Sequence, residues 1–363
     1  MGLEIYRYDH VGSLLRPAVL KEAREKYAAD EITLEALREV EDKEIARIVE
    51  KQKSLGLKAV SDGEFRRAWW HFDFLEGLGG VTGTEGGGGI QFKNTTTKAR
   101  QIKVSDKLHY QTHPELKFFK YLQETAGDTV AKYAIPSPNM LHFRGEVSED
   151  IYPDEEVFFD DLVETYRQVL KDFYDAGCRY LQLDDTSWGY LCSDEQRQKL
   201  IEQGKDPDAL KEKYLETLNR VVEGKPEDLK ITMHICRGNF RSTWITSGGY
   251  EPVAKEIFGR LNIDGFFLEY DSDRSGDFRP LRHVNRDNVF IVLGLITSKD
   301  GVLEDPDAVK ARIKEASEYV PLEQLALSPQ CGFASTEEGN VLTEDDQWNK
   351  IKHVISIAED VWK

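Results

Sequence analysis

Short apolar segments alternate with longer amphipathic segments along almost the whole chain, and this alternation limits the fold more than any other feature. Eight apolar segments have the length and composition of buried strands: residues 5–9, 57–61, 131–136, 180–184, 230–235, 265–269, 289–294 and 324–328. Helical patterns occupy the intervals, with the clearest at residues 34–55, 154–176, 207–222, 252–261, 305–319 and 344–362. The alternation predicts parallel strands that are joined by crossover helices.

Eight strand–helix units in a chain of 363 residues predict an α/β protein of the (β/α)₈ TIM-barrel type, folded as a single domain over residues 1–363. The helical pattern before the second strand is unusually long, so extra helices are expected near the N-terminus. An open, doubly wound sheet is the alternative, because periodicity does not separate the two arrangements.

The segment at residues 77–104 interrupts the alternation. It is rich in glycine and then alternates between apolar and polar residues in the manner of a hairpin. Its glycines lack the Gly-Lys-Ser/Thr sequence of a phosphate-binding loop, and no Gly-x-Gly-x-x-Gly pattern opens a helix there. The segment is therefore predicted to be an inserted hairpin or flap and not a nucleotide site.

Charge and cysteine usage limit the partners and the compartment. The formal net charge of -18 argues against nucleic acid and anionic membranes as partners, since both repel an acidic surface. No apolar stretch of about 18 residues is present to span a membrane, and the N-terminus lacks the basic and apolar regions of a signal peptide. Four scattered cysteines do not form a disulfide framework. We therefore expect a cytoplasmic protein.

Polar residues of unusual type stand at the ends of the predicted strands. In a parallel barrel the carboxyl ends of all strands meet at one rim, which is where the active sites of this fold lie. Burying carboxylates, imidazoles and thiols at such a rim is costly unless these groups have partners. The residues in question are Asp62, Glu64, Asp184, Asp185, His234, Cys236, Glu269 and Cys331.

Four of these residues carry groups that bind metal ions: His234, Cys236, Glu269 and Cys331. Thiolate and imidazole ligands suit Zn²⁺ better than Mg²⁺ or Ca²⁺, which prefer oxygen ligands. The four residues come from three separate strands, unlike the local ligand pairs of a zinc finger, so a zinc ion here is expected to be catalytic. The alternative is a hydrogen-bonded core histidine beside thiols that pack as small apolar groups.

The remaining cysteines and two of the acidic residues receive structural interpretations. Cys178, in a helix-to-strand turn, and Cys192, in a loop, are expected to pack in the interior. Asp62 and Asp185 are expected on solvated faces, where most carboxylates lie. None of these four residues is assigned to the site.

Several motifs together resemble the cobalamin-independent methionine synthase family. They are HVGSLLRP at 10–17, SDGEFRR at 61–67, LQLDDTSW at 181–188, HICRGN at 234–239, FLEYD at 267–271, VLGLITSKDG at 292–301 and LSPQCGFAS at 327–335. The resemblance covers nearly the whole chain and is closest to short homologues that consist of the family's C-terminal catalytic barrel alone. It implies an S-methyltransferase (EC 2.1.1) that moves a methyl group from 5-methyltetrahydrofolate or another donor to the thiol of homocysteine, which forms methionine.

The resemblance also implies roles for individual residues. The zinc ligands that it implies are His234, Cys236, Glu269 and Cys331. The backbone at Ser13 binds the carboxylate of homocysteine, and Glu64 and Asp184 hold its ammonium group through charge-assisted hydrogen bonds. Coordination to zinc converts the substrate thiol, whose ordinary pKa is about 8.5, into the thiolate that attacks the methyl group.

The sequence departs from the family pattern at three places. No tryptophan follows the third predicted strand at 133–143, Asp-Asp-Thr at 184–186 replaces Asp-Glu-Pro, and the loop at 295–301 lacks the family's catalytic histidine. No catalytic acid is therefore assigned, and the donor is left open between a folate, a corrinoid carrier protein and a methylated sulfur compound. Two other functions also stay open: a related barrel lyase or hydrolase whose metal activates water, and a non-catalytic homologue that binds zinc or an amino acid.

Overall fold

The computed structural model of the protein describes residues 6–85 and 89–363. Within them the chain forms a large parallel sheet, a small second sheet and surrounding helices. The strands are β1 Ala59–Val60, β2 Gly79–Glu85, β3 Arg100–His109, β4 Val130–Pro136, β5 Gly145–Val147, β6 Tyr180–Asp185, β7 Lys230–Ile235, β8 Gly265–Glu269, β9 Phe290–Ile296 and β10 Leu325–Pro329.

The helices lie between and around these strands. The α-helices are α1 Ala18–Ala28, α2 Leu34–Ser54, α3 Phe72–Leu75, α4 Leu116–Ala126, α5 Asn139–Arg144, α6 Glu155–Asp175, α7 Ser187–Leu191, α8 Asp194–Glu202, α9 Pro207–Val222, α10 Ala254–Arg260, α11 Pro306–Ala316 and α12 Glu344–Val361. Short 3₁₀ helices lie at Glu251–Val253, Asp273–Ser275, Arg279–His283 and Leu322–Gln324. No helix within residues 6–85 and 89–363 is both long and apolar enough to cross a membrane.

The large sheet has seven parallel strands in the order β1-β4-β6-β7-β8-β9-β10. These are the last seven predicted strands, which are thereby confirmed, and β7 and β8 have the predicted bounds. A doubly wound sheet reverses its strand order at a switch point. This sheet instead keeps the order of the chain from one edge to the other, so its arrangement is that of a TIM-barrel-like fold.

The N-terminal segment contacts both edges of this sheet. Tyr8 forms an isolated parallel bridge with Leu327 of β10, and the Asp9 N–H donates to the Leu327 carbonyl at 3.2 Å. On the other side, the Ser61 hydroxyl after β1 donates to the Gly12 carbonyl at 2.6 Å. Residue 5 of the first predicted strand lies outside the described residues. In the described part that segment forms this single bridge and not a full strand.

Buried contacts hold the N-terminal segment against the inner face of the sheet. The Lys132 ammonium on β4 lies 3.1 Å from the Asp9 carboxylate, which also accepts a hydrogen bond of 2.7 Å from the Tyr180 hydroxyl on β6. Removing one partner of such a buried ion pair leaves an uncompensated charge, so the pair fixes the segment in place. An apolar cluster next to this ion pair also packs against the segment: Val11, Phe267, Val292 and Ala326.

The local sequence explains where the elements begin and why the strands are apolar. Every residue of β6, β8 and β10 is buried, because parallel strands are covered on both faces. Two helices begin at capping residues: Asp305 accepts a hydrogen bond from the backbone of α11, and Thr343 forms a capping box with Asp346 at the start of α12. Helices α1 and α2 are the extra N-terminal helices that the sequence predicts.

The small sheet contains the hairpin that the sequence places at 77–104. Strands β2 and β3 pair in antiparallel fashion, and β5 joins β3 in parallel. Strand β3 continues to His109, five residues beyond the predicted end, because its second half pairs with the start of β2. Residues 86–88 of the predicted flap lie outside the described part of the chain.

Candidate metal centre and substrate cleft

The carboxyl ends of β7, β8 and β10 bring four metal-binding side chains together. His234 is the fifth residue of β7, Cys236 directly follows that strand, Glu269 ends β8, and Cys331 lies two residues beyond β10. All four side chains are buried, and one ligand atom from each lies within 4.8 Å of the others. The sheet register therefore gathers the four predicted metal ligands at one point, although they are up to 97 residues apart along the chain.

The geometry of the thiols and the imidazole fits a zinc-type site. The two sulfur atoms, Cys236 Sγ and Cys331 Sγ, are 3.6 Å apart, and two zinc–sulfur bonds at a tetrahedral angle place sulfurs about 3.8 Å apart. His234 Nδ1 lies 3.3 Å from the Phe267 carbonyl oxygen, to which it donates. Its other nitrogen, Nε2, is buried and has no hydrogen-bond partner among the described residues. Such an outer hydrogen bond is what orients a metal-binding imidazole.

Glu269 differs from the other three candidates because both of its carboxylate oxygens already have donors. Oε1 accepts a 2.7 Å hydrogen bond from the Arg237 backbone N–H, and Oε2 accepts one of 2.7 Å from the Arg274 guanidinium. Arg274 also contacts Asp271 at 2.8 Å. Both oxygens of this carboxylate therefore have hydrogen-bond donors within the protein.

The metal-free centre holds an ion pair and a neutral thiol. Burial lowers the pKa of His234, but the Cys331 sulfur, Asp184 and Glu269 outweigh it and raise that pKa to about 9. The hydrogen bond from Cys236 and the nearby imidazolium lower the pKa of Cys331 well below its ordinary value. The same hydrogen bond and burial raise the pKa of Cys236. In the metal-free centre these shifts favour the imidazolium form of His234, the thiolate form of Cys331 and the thiol form of Cys236.

Two further buried carboxyl groups, Glu64 and Asp184, are the residues to which the resemblance assigns the substrate ammonium. Burial raises the pKa of Glu64 to about 8 against the opposing effect of Arg67, and burial raises the pKa of Asp184 to about 6 against that of His234. Glu64 Oε2 has no hydrogen-bond partner among the described residues. Glu64 also has a φ of 59°, a strained backbone conformation that is concentrated at functional sites. A bound cation would restore the ionised form of both groups.

Ser13 packs against the loop that carries Cys331. The Ser13 carbonyl accepts a 2.9 Å hydrogen bond from the Phe333 N–H, and its hydroxyl accepts one of 3.4 Å from the Ala334 N–H. A Cβ atom on Gly332 would lie 1.9 Å from the Ser13 hydroxyl oxygen, so this close approach requires glycine. The structure therefore joins the HVGS motif to the Cys-Gly motif, which are more than 300 residues apart in sequence.

The prediction that Asp62 and Asp185 lie on solvated faces is wrong, since both are buried. The Asp62 carboxylate accepts a 2.9 Å hydrogen bond from the Glu64 N–H and fixes the turn after β1. The Asp185 carboxylate accepts hydrogen bonds from the hydroxyls of Ser137 and Ser187. These donors come from the same turn or from a neighbouring loop, and they replace the water that an exposed carboxylate would bind. Cys178 and Cys192 do pack in the hydrophobic core, as predicted.

A narrow cleft leads from the protein surface to Cys236, and the loop between β2 and β3 covers it. Its free volume of about 20 Å³ is enough for roughly one water molecule. The loop docks through a 3.0 Å hydrogen bond from the Lys93 N–H to the Trp244 carbonyl and through the rings of Phe92 and Phe240, 5.3 Å apart. Residues of this loop thus line the same cleft as Cys236, which belongs to the candidate metal centre.

The cleft also contains residues that the sequence interpretation did not assign to a site. Those on the protein side include Trp69, Trp70, His71, Arg144, Asn239 and Thr336, and the covering loop adds Ile90, Phe92 and Thr97. A run of aromatic residues in AWWHFDF at 68–74 was the available signal. Aromatic runs are common in ordinary cores, so the sequence gives that run no functional direction.

Comparison with known proteins gives the family. A family model for the catalytic domain of cobalamin-independent synthase matches residues 9–357. The uncharacterized protein YxjH of Bacillus subtilis (strain 168) is 58% identical over 358 residues, which cover 99% of this chain and 95% of that protein. A solved structure from Listeria monocytogenes, assigned as a vitamin-B12 independent methionine synthase, has a TM-score of 0.83 at 49% identity and covers 99% of this chain and 98% of that one.

A more distant structure shares the fold. It is a B12-independent methionine synthase from Shewanella sp. W3-18-1 in complex with selenomethionine, with a TM-score of 0.71 at 18% identity and coverage of 98% of this chain and 97% of that one. The family model spans nearly the whole of the present chain. The chain therefore belongs to the family of the cobalamin-independent synthase catalytic domain, a family of homocysteine methyltransferases (EC 2.1.1).

Proposed function

We propose that the protein is a zinc-dependent methyltransferase that moves a methyl group from a donor to the thiol of homocysteine and so forms methionine. The observation that carries this proposal is the convergence of four buried metal-binding side chains, His234, Cys236, Glu269 and Cys331, within 4.8 Å of one another. We infer further that the N-terminal segment closes the sheet into a (β/α)₈ barrel. The whole chain, residues 1–363, then acts as one catalytic domain with the hairpin segment at 77–104 as its cover.

The donor set favours zinc over other ions. Two thiolates and one imidazole select a borderline-soft metal, and one carboxylate does not make the site suitable for Mg²⁺ or Ca²⁺. When bound, zinc would supply the positive charge that stabilises the thiolate form of a coordinated substrate thiol at neutral pH. Because Glu269 already has two donors of its own, it is the ligand that we expect to yield its place to that thiol.

The protein residues around the centre suit an amino-acid substrate. Glu64 and Asp184 would hold the substrate ammonium, since each is buried and lacks a full counter-charge. Ser13 would position the substrate carboxylate through its backbone, beside the loop of Cys331. The substrate would then be held at both ends of its amino-acid group, which directs its thiol toward the centre and lowers the entropic cost of the transfer.

The proposed donor is 5-methyltetrahydrofolate, with a methylated sulfur compound and a corrinoid carrier protein as alternatives. The pterin-stacking tryptophan of the family is absent at 133–143. Trp69 and Trp70 lie in the cleft and offer aromatic surfaces there instead. The chain's acidic charge supports small-molecule partners rather than nucleic acid or membranes. Four free thiols agree with a reducing cytoplasm as the compartment.

A sequence of three measurements tests the proposal. The first is the zinc content of the purified protein, expected to be one ion per chain. The second is X-ray absorption during a homocysteine titration, which should show an additional zinc–sulfur bond. The third is a screen of methyl donors for methionine formation. The Cys331→Ser variant should lose both metal and activity, whereas the matched control Cys178→Ser, which removes a buried thiol far from the cluster in sequence, should keep both.

The outcomes separate the competing functions. Zinc without a bond to the substrate sulfur would favour a lyase or hydrolase whose metal activates water. Zinc and homocysteine binding without turnover on any donor would favour a non-catalytic binding protein. If the Cys331→Ser variant kept full metal content and full activity, the assignment of these four residues as the metal site would be refuted.

A further inference from the structure

Three polar side chains in the cleft have buried atoms without hydrogen-bond partners in the described part of the chain. The atoms without partners are the two ring nitrogens of His71, Nε of Arg144 and Oδ1 of Asn239. The His71 side chain is clamped between the rings of Trp70 and Phe72, with centroid distances of 4.5 and 4.0 Å. Buried polar atoms in proteins normally have hydrogen-bond partners. The two unpaired nitrogens of this imidazole, which lies in the wall of the cleft, therefore indicate that a bound ligand supplies the missing partners.

A second buried histidine, His113, serves as a comparison because its ring nitrogens are fully hydrogen-bonded within the protein. His113 is buried and stacks on Phe74 at 3.9 Å, much as His71 stacks on Phe72. Both of its nitrogens have partners, however: Nε2 donates to the Phe74 carbonyl at 2.9 Å, and Nδ1 accepts from the Glu115 N–H at 3.2 Å. His71 therefore differs from the neighbouring His113 in that neither of its ring nitrogens has a hydrogen-bond partner among the described residues, a property it shares with His10 near the N-terminus.

The surroundings keep His71 neutral. Burial, followed by the charges of Arg144 and Arg100, lowers the pKa of His71 well below its ordinary value. A neutral imidazole has one N–H that donates and one nitrogen that accepts. Asn239 is also fixed, because its amide donates to the Gly332 carbonyl at 2.7 Å, and its Oδ1 remains as an acceptor.

We propose that the methyl donor occupies this cleft and that the His71 N–H donates a hydrogen bond to the atom from which the methyl group departs. This inference rests on the proposed methyltransferase function and names a substrate-contacting residue for it. In the transfer, the bond between the acceptor sulfur and the methyl carbon forms while the bond between that carbon and the departing atom breaks. The electron pair of the broken bond stays on the departing atom, which His71 stabilises. That atom then takes a proton from solvent water, and the hydroxide left behind combines with the proton that the acceptor thiol has given to solvent.

The same geometry defines the class of donor. A sulfonium or quaternary ammonium donor leaves as a neutral molecule that needs no proton, and its positive charge would lie beside Arg144. A neutral or anionic donor whose departing atom is basic, such as a nitrogen, gains from both the imidazole N–H and the guanidinium. The site therefore selects donors with a basic departing atom, and the stacked aromatic rings favour a planar group next to that atom.

The test compares donors that differ in their need for a proton. Methionine formation from homocysteine is measured for the zinc-loaded protein with 5-methyltetrahydrofolate, as mono- and triglutamate, and with methyl iodide, trimethylsulfonium and methylcobalamin. His71→Phe keeps a stacking ring but loses the hydrogen bond, and we expect its rate with the folate donor to fall by about 100-fold or more. With methyl iodide the same variant should stay within about threefold of wild type, because iodide leaves without a proton.

Two further variants distinguish loss of the His71 hydrogen bond from a general structural effect. His71→Gln retains an amide N–H and should recover part of the folate rate, and it carries the test if His71→Phe fails to fold. His113→Gln should change the rates with folate and methyl iodide by the same factor, as expected for a structural residue. The proposal is overturned if His71→Phe loses activity equally with both donors, or if it loses none with folate.

The donor screen also separates failure of this inference from failure of the proposed function. A wild-type protein that uses only methyl iodide, trimethylsulfonium or methylcobalamin would still be a methyltransferase, but His71 would have no departing atom to stabilise. A wild-type protein that forms no methionine from any of these donors would refute the proposed function as well.

Discussion

Zinc binding to this protein is expected to release protons and to strengthen steeply as the pH rises. The reason is the protonation of the metal-free centre, in which His234 is an imidazolium and Cys236 is a thiol that donates to the Cys331 thiolate. Coordination requires the neutral imidazole and both thiolates. Two protons must therefore leave when the metal enters at neutral pH, one from His234 and one from Cys236.

The magnitude follows from the pKa of His234, which is about 9. At pH 7 this group lies about two pH units below its pKa, so its deprotonation costs ~2.7 kcal/mol, or ~100-fold in apparent zinc affinity. The sign is clear, because a raised pKa in the metal-free protein means that protons compete with the metal below that pKa. The loss of zinc affinity that protonation of His234 causes therefore becomes smaller as the pH rises toward about 9, and it disappears above that pH. The Cys236 proton adds to the slope in the same direction, since its pKa is also raised.

Calorimetry in buffers of different ionisation enthalpy measures the number of protons released, and competition with a chromophoric chelator calibrated at each pH measures the affinity. We expect roughly two protons at pH 7 and a gain of at least ~100-fold in affinity between pH 7 and pH 9. Cys236→Ser should bind more weakly and release about one proton fewer, whereas Cys178→Ser should match wild type. An affinity that does not depend on pH in this range would show that the centre is already deprotonated and that the reasoning is wrong.

Three further predictions concern the residues around the centre. Arg274→Leu leaves the buried carboxylate of Glu269 without its cation, so urea unfolding of the metal-free protein should show a loss of about 3–5 kcal/mol, and zinc should restore part of it; equal losses with and without zinc would contradict the pairing. Gly332→Ala should lower zinc content and raise the KM for homocysteine together, because the added Cβ meets Ser13; an unchanged enzyme would refute the close approach. Phe92→Ala should lower kcat/KM for the methyl donor by about tenfold at unchanged zinc content, since it loosens the covering loop; a fall in zinc content would instead place Phe92 in the support of the centre.

The main sheet could be predicted from the sequence because parallel strands are covered on both faces. Their residues must be apolar almost without interruption, and β7 and β8 have the predicted bounds for that reason. The first segment shows where this reasoning stops. Its apolar residues predict a strand, yet in the described part only Tyr8 pairs with Leu327. Pairing depends on how the sheet edges approach each other, and an apolar pattern carries no information about that approach.

The candidate metal cluster could be predicted because coordination chemistry limits the residue types. Burial of thiols and an imidazole at strand ends is unfavourable unless these groups have partners such as a metal ion. Their positions in the sequence therefore indicated a metal site before any contact between them was known. The carboxylates Asp62 and Asp185 were placed wrongly for a related reason. A carboxylate is buried when donors surround it, and the Ser137 hydroxyl that donates to Asp185 comes from a different strand end. The sequence of Asp185 and its neighbours does not reveal that donor.

The lining of the cleft could not be predicted from the sequence, although the hairpin whose loop contributes to it could, and the reason bears on how this enzyme would acquire its specificity. The candidate metal ligands stand at strand ends whose register fixes them. His71 instead directly precedes the short helix α3, Arg144 ends the short helix α5, and the covering loop has no regular periodicity. The loop contacts the rest of the protein through one backbone hydrogen bond to Trp244, the packing of Phe92 on Phe240 and an ion pair between Lys98 and Glu337. Substitutions in such a loop can change which donor fits without disturbing the four buried ligands. Under the proposed function, binding of the sulfur acceptor and selection of the methyl donor would therefore depend on two separable parts of the chain, and the motifs that identify the first say nothing about the second.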